Sequence, residues 1–188
     1  MKNWIVAFGI LLVAVLLGAW LLARTDGDGG TPETATTTQR TYSSETYGIS
    51  FQYPDPYTLE ERDTGNGERW RHVITLMRKA DLPPPIDGEG PPSIEIAFYQ
   101  NNLDKRTVAE WITGTNDSNF KLGPGTYAST TVAGRAALRY RWSGLYEGVT
   151  TAFLAGDAIV AVSASYLEPG DEILEVYEDV LNSIQFLR

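Results

Sequence analysis

No charged residue occurs between Trp4 and Ala23, and this one stretch constrains the whole chain. Roughly 20 residues at about 1.5 Å rise each match a hydrocarbon core of about 30 Å. A cleavable export signal has a shorter apolar part, closed by a small-x-small site. Here the end reads "AWLLAR", with Leu21 where a small residue is wanted. Trp4 and Trp20 stand near the two ends, as interfacial aromatics do. The stretch is apolar on every side, unlike a surface helix of a soluble core. Residues 1–23 are therefore expected to form a transmembrane signal-anchor, a cleaved signal peptide being the competing reading. Only Lys2 and the amino terminus precede the span. Such a short leading tail favours a single-pass protein of the cell membrane, N-terminus cytoplasmic and the remainder extracytoplasmic. Ala14 and Gly18 form a small-xxx-small pair, a spacing that lets two helices approach and would serve a homodimer.

The next segment, "RTDGDGGTPETATTTQR", is rich in Gly, Thr, Asp and Pro, and Ala35 is its one apolar residue. It cannot offset its ordering entropy by burial. Residues 24–40 are expected to be a flexible linker, and residues 41–188 an extracytoplasmic domain.

Composition narrows the function. The chain of 188 residues carries a net charge of −9, which makes nucleic acid a poor partner, because binding it needs clustered cations. With no cysteine, disulfides, thiolate metal sites, cysteine nucleophiles and cysteine-linked lipid are excluded. A single histidine, His72, excludes a multi-histidine metal centre within one chain. No cofactor and no metal are expected.

The pattern after residue 40 is mostly of period two. Tyr47, Ile49, Phe51 and Tyr53 alternate in "TYSSETYGISFQYP", read as one strand that Pro54 and Pro56 end; "YTLEE" then resumes an extended path. In "ERWRHVITLMRK" Trp70, His72, Ile74 and Leu76 share one face, with Arg69, Arg71, Val73, Thr75 and Met77 on the other. "ADLPPPIDGEGPP" reads as a long loop, and "SIEIAFYQ" as a strand. "TVAEWITGT" predicts a short helix, with Thr107 as N-cap and Gly114 as stop. "TTVAGRAALRYRWSG", "LYEGVTTAFLAGD" and "AIVAVSASYLE" read as three strands, the last covered on both sides. "PGDEILEVYEDVLNSIQFLR" predicts a helix whose stripe is Ile173, Tyr177, Val180, Leu181 and Ile184. The order predicts an α+β fold, an antiparallel sheet packed by helices.

Three stretches carry a resemblance. "YGISFQYPDPYTLEE" resembles the opening of the PsbP-like group, which includes DcrB-like proteins. "VAGRAALRYRW" resembles its mid-domain Gly-x-x-Ala strand, and "YEDVLNSIQF" its terminal helix. The resemblance covers about residues 41–188 and marks core positions. It implies the PsbP-like fold and a style of action, that of a binding or accessory module. Photosynthetic members serve as accessory subunits at a metal-containing membrane complex. Some are discussed as binding metal through histidines and carboxylates, whereas this chain offers only His72.

Two further groups are candidates for binding. Arg135, Arg139 and Arg141 share parity on one strand, as do Arg69 and Arg71 on another. If those strands were neighbours they would form an arginine patch suited to carboxylates or phosphates. Tyr146 lies in a turn, where an exposed aromatic could anchor a partner. His72 reads as a packed, hydrogen-bonded histidine. No catalytic residue is assigned. The expectation is a membrane-tethered, non-catalytic accessory module, held in the lipid bilayer by its N-terminal helix beside a membrane or envelope protein partner. An extracytoplasmic hydrolase using carboxylates and a structural component of a cell-envelope assembly are the alternatives.

Overall fold

Alternation sorts the side chains of each strand onto two faces, and both faces here are covered. The computed structural model describes residues 38–65, 69–84 and 89–187. The apolar stretch Trp4–Ala23 lies outside them, and no helix among the described residues is long and apolar enough to cross a membrane.

Among the described residues ten strands form two antiparallel sheets. β1 (Gln39–Ser44), β2 (Ile49–Pro54) and β10 (Gln185–Phe186) make a small sheet in the order β1-β2-β10. The larger sheet holds β3 (Tyr57–Gly65), β4 (Trp70–Arg78), β5 (Ile94–Gln100), β6 (Ala128–Val132), β7 (Arg135–Ser143), β8 (Glu147–Ala155) and β9 (Ala158–Tyr166). Its order is β3-β4-β5-β9-β8-β7-β6. Helices α1 (Val108–Gly114) and α2 (Ile173–Ser183) complete the fold, so the α+β expectation holds for the described residues.

Two stretches read as single strands are hairpins. The first turns at residues 45–48, so Tyr47 sits in the turn while Ile49, Phe51 and Tyr53 keep their alternation. The second turns at Ala133 and Gly134, both at positive φ (46° and 78°), the two-residue turn whose twist suits paired strands. Each turn shifts the alternation by one residue, since Val132 pairs with Arg135 on one face, and the short strands before the turns bury too few side chains for the shift to show in the sequence. β1 includes Gln39 and Arg40, which the sequence pattern placed in the linker. β9 is the middle strand and is buried on both sides along most of its length, as its apolar run predicts.

One face of the large sheet, the helix face, packs against α2 and the small sheet. Phe51, Ile74, Ile96, Phe98, Phe153 and Tyr177 are its large members. The other, the groove face, is covered by α1 and the 3-10 turn Phe120–Leu122, with Trp111, Ile112 and Tyr140 at its centre. A capping box fixes α1: Thr107 accepts from the Glu110 amide at 3.2 Å, and the Glu110 carboxylate accepts from the Thr107 amide at 2.8 Å. These bonds hold the Glu110 carboxyl below its usual range. Gly148 lets Trp142 of the neighbouring strand lie flat across it, since a Cβ there would fall 2.1 Å from the indole.

The two ends of the sheet differ as well. Chain entry is at one end, where the Asp55 amide bonds the Thr38 carbonyl at 2.8 Å and Lys79 reaches Asp55. The starts of β3, β5 and β8 and the ends of β4, β7 and β9 gather at this entry end. The far end holds the 45–48, 133–134 and 156–157 turns and the loop from β5 to α1.

Candidate functional site

The far end of the groove face carries four arginines around two carboxylates. Arg71 projects from β4 onto the ring of Tyr99, its guanidinium carbon 4.8 Å from the centroid. Arg62, on β3, reaches Glu95 at 3.1 Å, and Arg71 Nη2 reaches the same carboxylate at 3.6 Å. Arg69 precedes β4 and pairs with Asp104 at 2.9 Å; Arg106 Nη2 lies 3.7 Å from that same residue. Each carboxylate is thus shared by two guanidiniums, and each guanidinium offers five N–H donors. Arg71 Nε is buried without a hydrogen-bond partner among the described residues. The buried Arg71 Nε, beside guanidiniums that share their carboxylates, suits an incoming anion.

A cavity of about 330 Å³ opens among these groups, lined by Arg69, Arg71, Arg106, Tyr99, Trp111 and Asp117 among others. Beyond Arg71 a second cavity of about 150 Å³ continues toward the entry end, with Ser93, Ser163, Ser165 and Asn119 in its wall. The loop that carries Asp104 and Arg106 is fixed by Asn101, whose amide donates to the Arg106 carbonyl and whose carbonyl accepts from the Arg106 amide, both at 2.9 Å. Arginine, aromatic ring and hydroxyl therefore stand on a rigid frame. The arrangement can bind a carboxylate or phosphate group.

The structure divides the arginines that share parity. β4 and β7 are separated by three strands, and Arg71 faces the groove side while Arg135 and Arg139 face the helix side. The single patch across neighbouring strands therefore does not form. Arg135 lies 3.8 Å above the Phe186 ring and donates to the Leu154 carbonyl at 3.1 Å. It borders a cavity of about 540 Å³ with Tyr47, Trp70, Phe98 and Phe186. Arg139 pairs with Glu178 of α2 over the Tyr177 ring. Arg141 is exposed toward the entry end. Tyr146 is half-buried, and its hydroxyl donates to the Gly90 carbonyl at 2.7 Å, so it ties down a loop. The exposed apolar residue of that turn is Leu145. Arg62 and Arg106 escaped sequence reasoning. Only the β3–β4 register and the fold of the 101–107 loop bring them to Arg71 and Arg69.

His72 is 5 % exposed on the helix face. Its Nδ1 lies 2.8 Å from Asp63 Oδ1 and its Nε2 3.1 Å from Glu61 Oε2. Tyr47 stacks on the ring at 4.1 Å. Tyr42 donates to Glu61 and Tyr47 to Asp63, so the cluster closes on itself. Both ring nitrogens are engaged, and the histidine is a structural tie between strand and turn. Among the described residues no group of three or more His, Asp or Glu side chains could hold a metal ion.

No protein-family model and no curated protein matches the chain. Its structure is similar to the solution structure of the cyanobacterial PsbP, CyanoP, from Synechocystis sp. PCC 6803. The TM-score is 0.52 at 11 % identity, over 84 % of this chain and 98 % of that one. At that identity the likeness speaks for architecture alone, and the fold of the described residues is PsbP-like.

Proposed function

We propose that this protein is a membrane-tethered accessory module that binds a protein partner on the extracytoplasmic side, without catalysing a reaction. One observation carries the reading: Arg69, Arg71 and Arg106 line one cavity on the thinly covered face of an otherwise acidic molecule, and Arg62 shares Glu95 with Arg71 beside it. The buried Arg71 Nε and the sharing of each carboxylate by two guanidiniums suit an acidic side chain or a chain terminus of a partner. The PsbP-like fold supports a binding role by analogy. The uncharged stretch Trp4–Ala23 supports the tether, which would raise the local concentration of the module near membrane partners.

The test is crosslinking in intact cells. A photoreactive residue at Thr115, on the cavity rim, is expected to capture a reproducible envelope protein, and one at Ser129, on β6, is not. Adding Arg71→Ala and Arg106→Ala should reduce that capture about tenfold, the loss of roughly 1.4 kcal/mol of binding. Equal capture from both positions, or capture indifferent to the arginines, would refute the site.

A further inference from the structure

Six large apolar side chains are exposed among the described residues, and three of them, Leu122, Leu145 and Leu167, lie toward the entry end. Leu145 forms the tip of the β7–β8 turn. Leu167 follows β9, whose Tyr166 pairs with Glu147 at the start of β8, so the two leucines stand on adjoining tips. Leu122 Cδ1 lies 3.7 Å from where a Cβ on Gly144 would stand, beside the same turn. They are 53 %, 67 % and 67 % exposed in that order. Single exposed leucines are ordinary on a protein surface; a group on adjacent turn tips asks for an occupant.

Where the chain enters suggests that occupant. Thr38 lies at this same end, bonded to Asp55 beside Lys79. Fourteen residues, Ala35 the one apolar side chain among them, separate Ala23 from Thr38 in the sequence. An apolar stretch held in lipid would keep the entry end close to the bilayer, and its leucines would face it. We propose that the entry end is a lipid-contact surface, with Leu145 and Leu167, supported by Leu122, entering the interfacial layer of the bilayer. Leucine side chains on turn tips partition there as those of interfacial helices do. This orientation turns the arginine cavity away from the membrane, toward a partner. The inference rests on the tether reading.

The absence of cysteine makes a direct test available. Full-length protein is placed in phosphatidylcholine nanodiscs containing a lipid with a nitroxide near the headgroup, to read positions 103, 145 and 167, or deep on the acyl chain, to read position 14. Single variants Ala14→Cys, Leu145→Cys, Leu167→Cys and Leu103→Cys carry a fluorophore, Leu103 being 62 % exposed beyond β5 at the far end. Labels at 145 and 167 are expected to be quenched at least about twofold more than the label at 103. Quenching at 14 without that excess would overturn the inference and leave the tether standing. No quenching at 14 would overturn the tether, and this inference with it.

Discussion

Along β9 the side chains Val160, Val162, Ala164 and Tyr166 enter the helix-face core, while Ile159, Ala161, Ser163 and Ser165 look to the other side. The same strands therefore support two unlike surfaces. On the helix face large residues meet α2 and the small sheet, and Thr151 bonds the Tyr177 hydroxyl at 2.7 Å inside the core. On the groove face the central strands supply small or hydroxyl side chains, one short helix covers them, and the arginine cavities remain. Burial stabilises in proportion to area, so the helix face holds most of the stability. The groove face has room for a ligand because its strands carry little bulk.

Alkaline pH acts on both faces at once and gives the largest expected effect. Burial pushes the phenols of Tyr42 and Tyr57 up to about 12, and those of Tyr99, Tyr140 and Tyr177 upward too. An unfolded tyrosine ionises near pH 10. Each raised phenol therefore contributes stability that is fully present below about pH 10 and is lost as pH rises through its folded value. The urea midpoint should stay level through neutral pH and fall steeply above about 10. Phenolate absorbance, compared between the parent and Tyr99→Phe or Tyr140→Phe, is expected to show these two phenols ionising before the far-UV signal changes, since only the thinner cover need open. Coincident transitions would mean that both faces open together.

Truncations compare the faces directly. Phe153→Ala, on the helix face, is expected to cost about 3–5 kcal/mol in urea unfolding, because a fully buried ring leaves a cavity its neighbours cannot close. Trp111→Ala should cost nearer to about 2 kcal/mol, since Trp111 already borders a cavity. Equal losses would break the comparison.

Legibility follows the same division. The α2 stripe was readable because each of Ile173, Tyr177, Val180, Leu181 and Ile184 touches one continuous core at helical spacing. The facing of β4 was readable because Ile74 and Val73 obey period two. The hairpin turn at Ala133–Gly134 was not, because β6 buries only Val132 and one buried side chain cannot reveal the one-residue shift of alternation across the turn. The site was half readable: Arg69 and Arg71 stood out as a pair, but their true companions, Arg62 and Arg106, are set by register and by a loop. Arg135 and Arg139 matched them in spacing and face the other way, since parity within a strand does not say which face is which.

Smaller changes sharpen the contrast. Thr107→Ala removes the capping box of α1 and should cost about 1 kcal/mol. Amide exchange is expected to quicken over residues 108–114 while α2 keeps its protection, since the caps serve different faces. Equal loosening of α2 would show that the faces are coupled.

The finest test sets two helix-face phenols against each other. Tyr177 bonds Thr151, whereas the Tyr57 hydroxyl is buried with no partner among the described residues. A buried hydroxyl that is satisfied contributes about 1 kcal/mol, and one that is unsatisfied carries a desolvation cost instead. Tyr177→Phe should therefore lose about 1 kcal/mol, while Tyr57→Phe should change stability by less than about 0.5 kcal/mol or raise it. Urea midpoints of the two variants decide the matter. A loss at Tyr57 as large as that at Tyr177 would mean that a water or another group completes its bond. The polar pairing of the helix face would then be as full as its apolar packing.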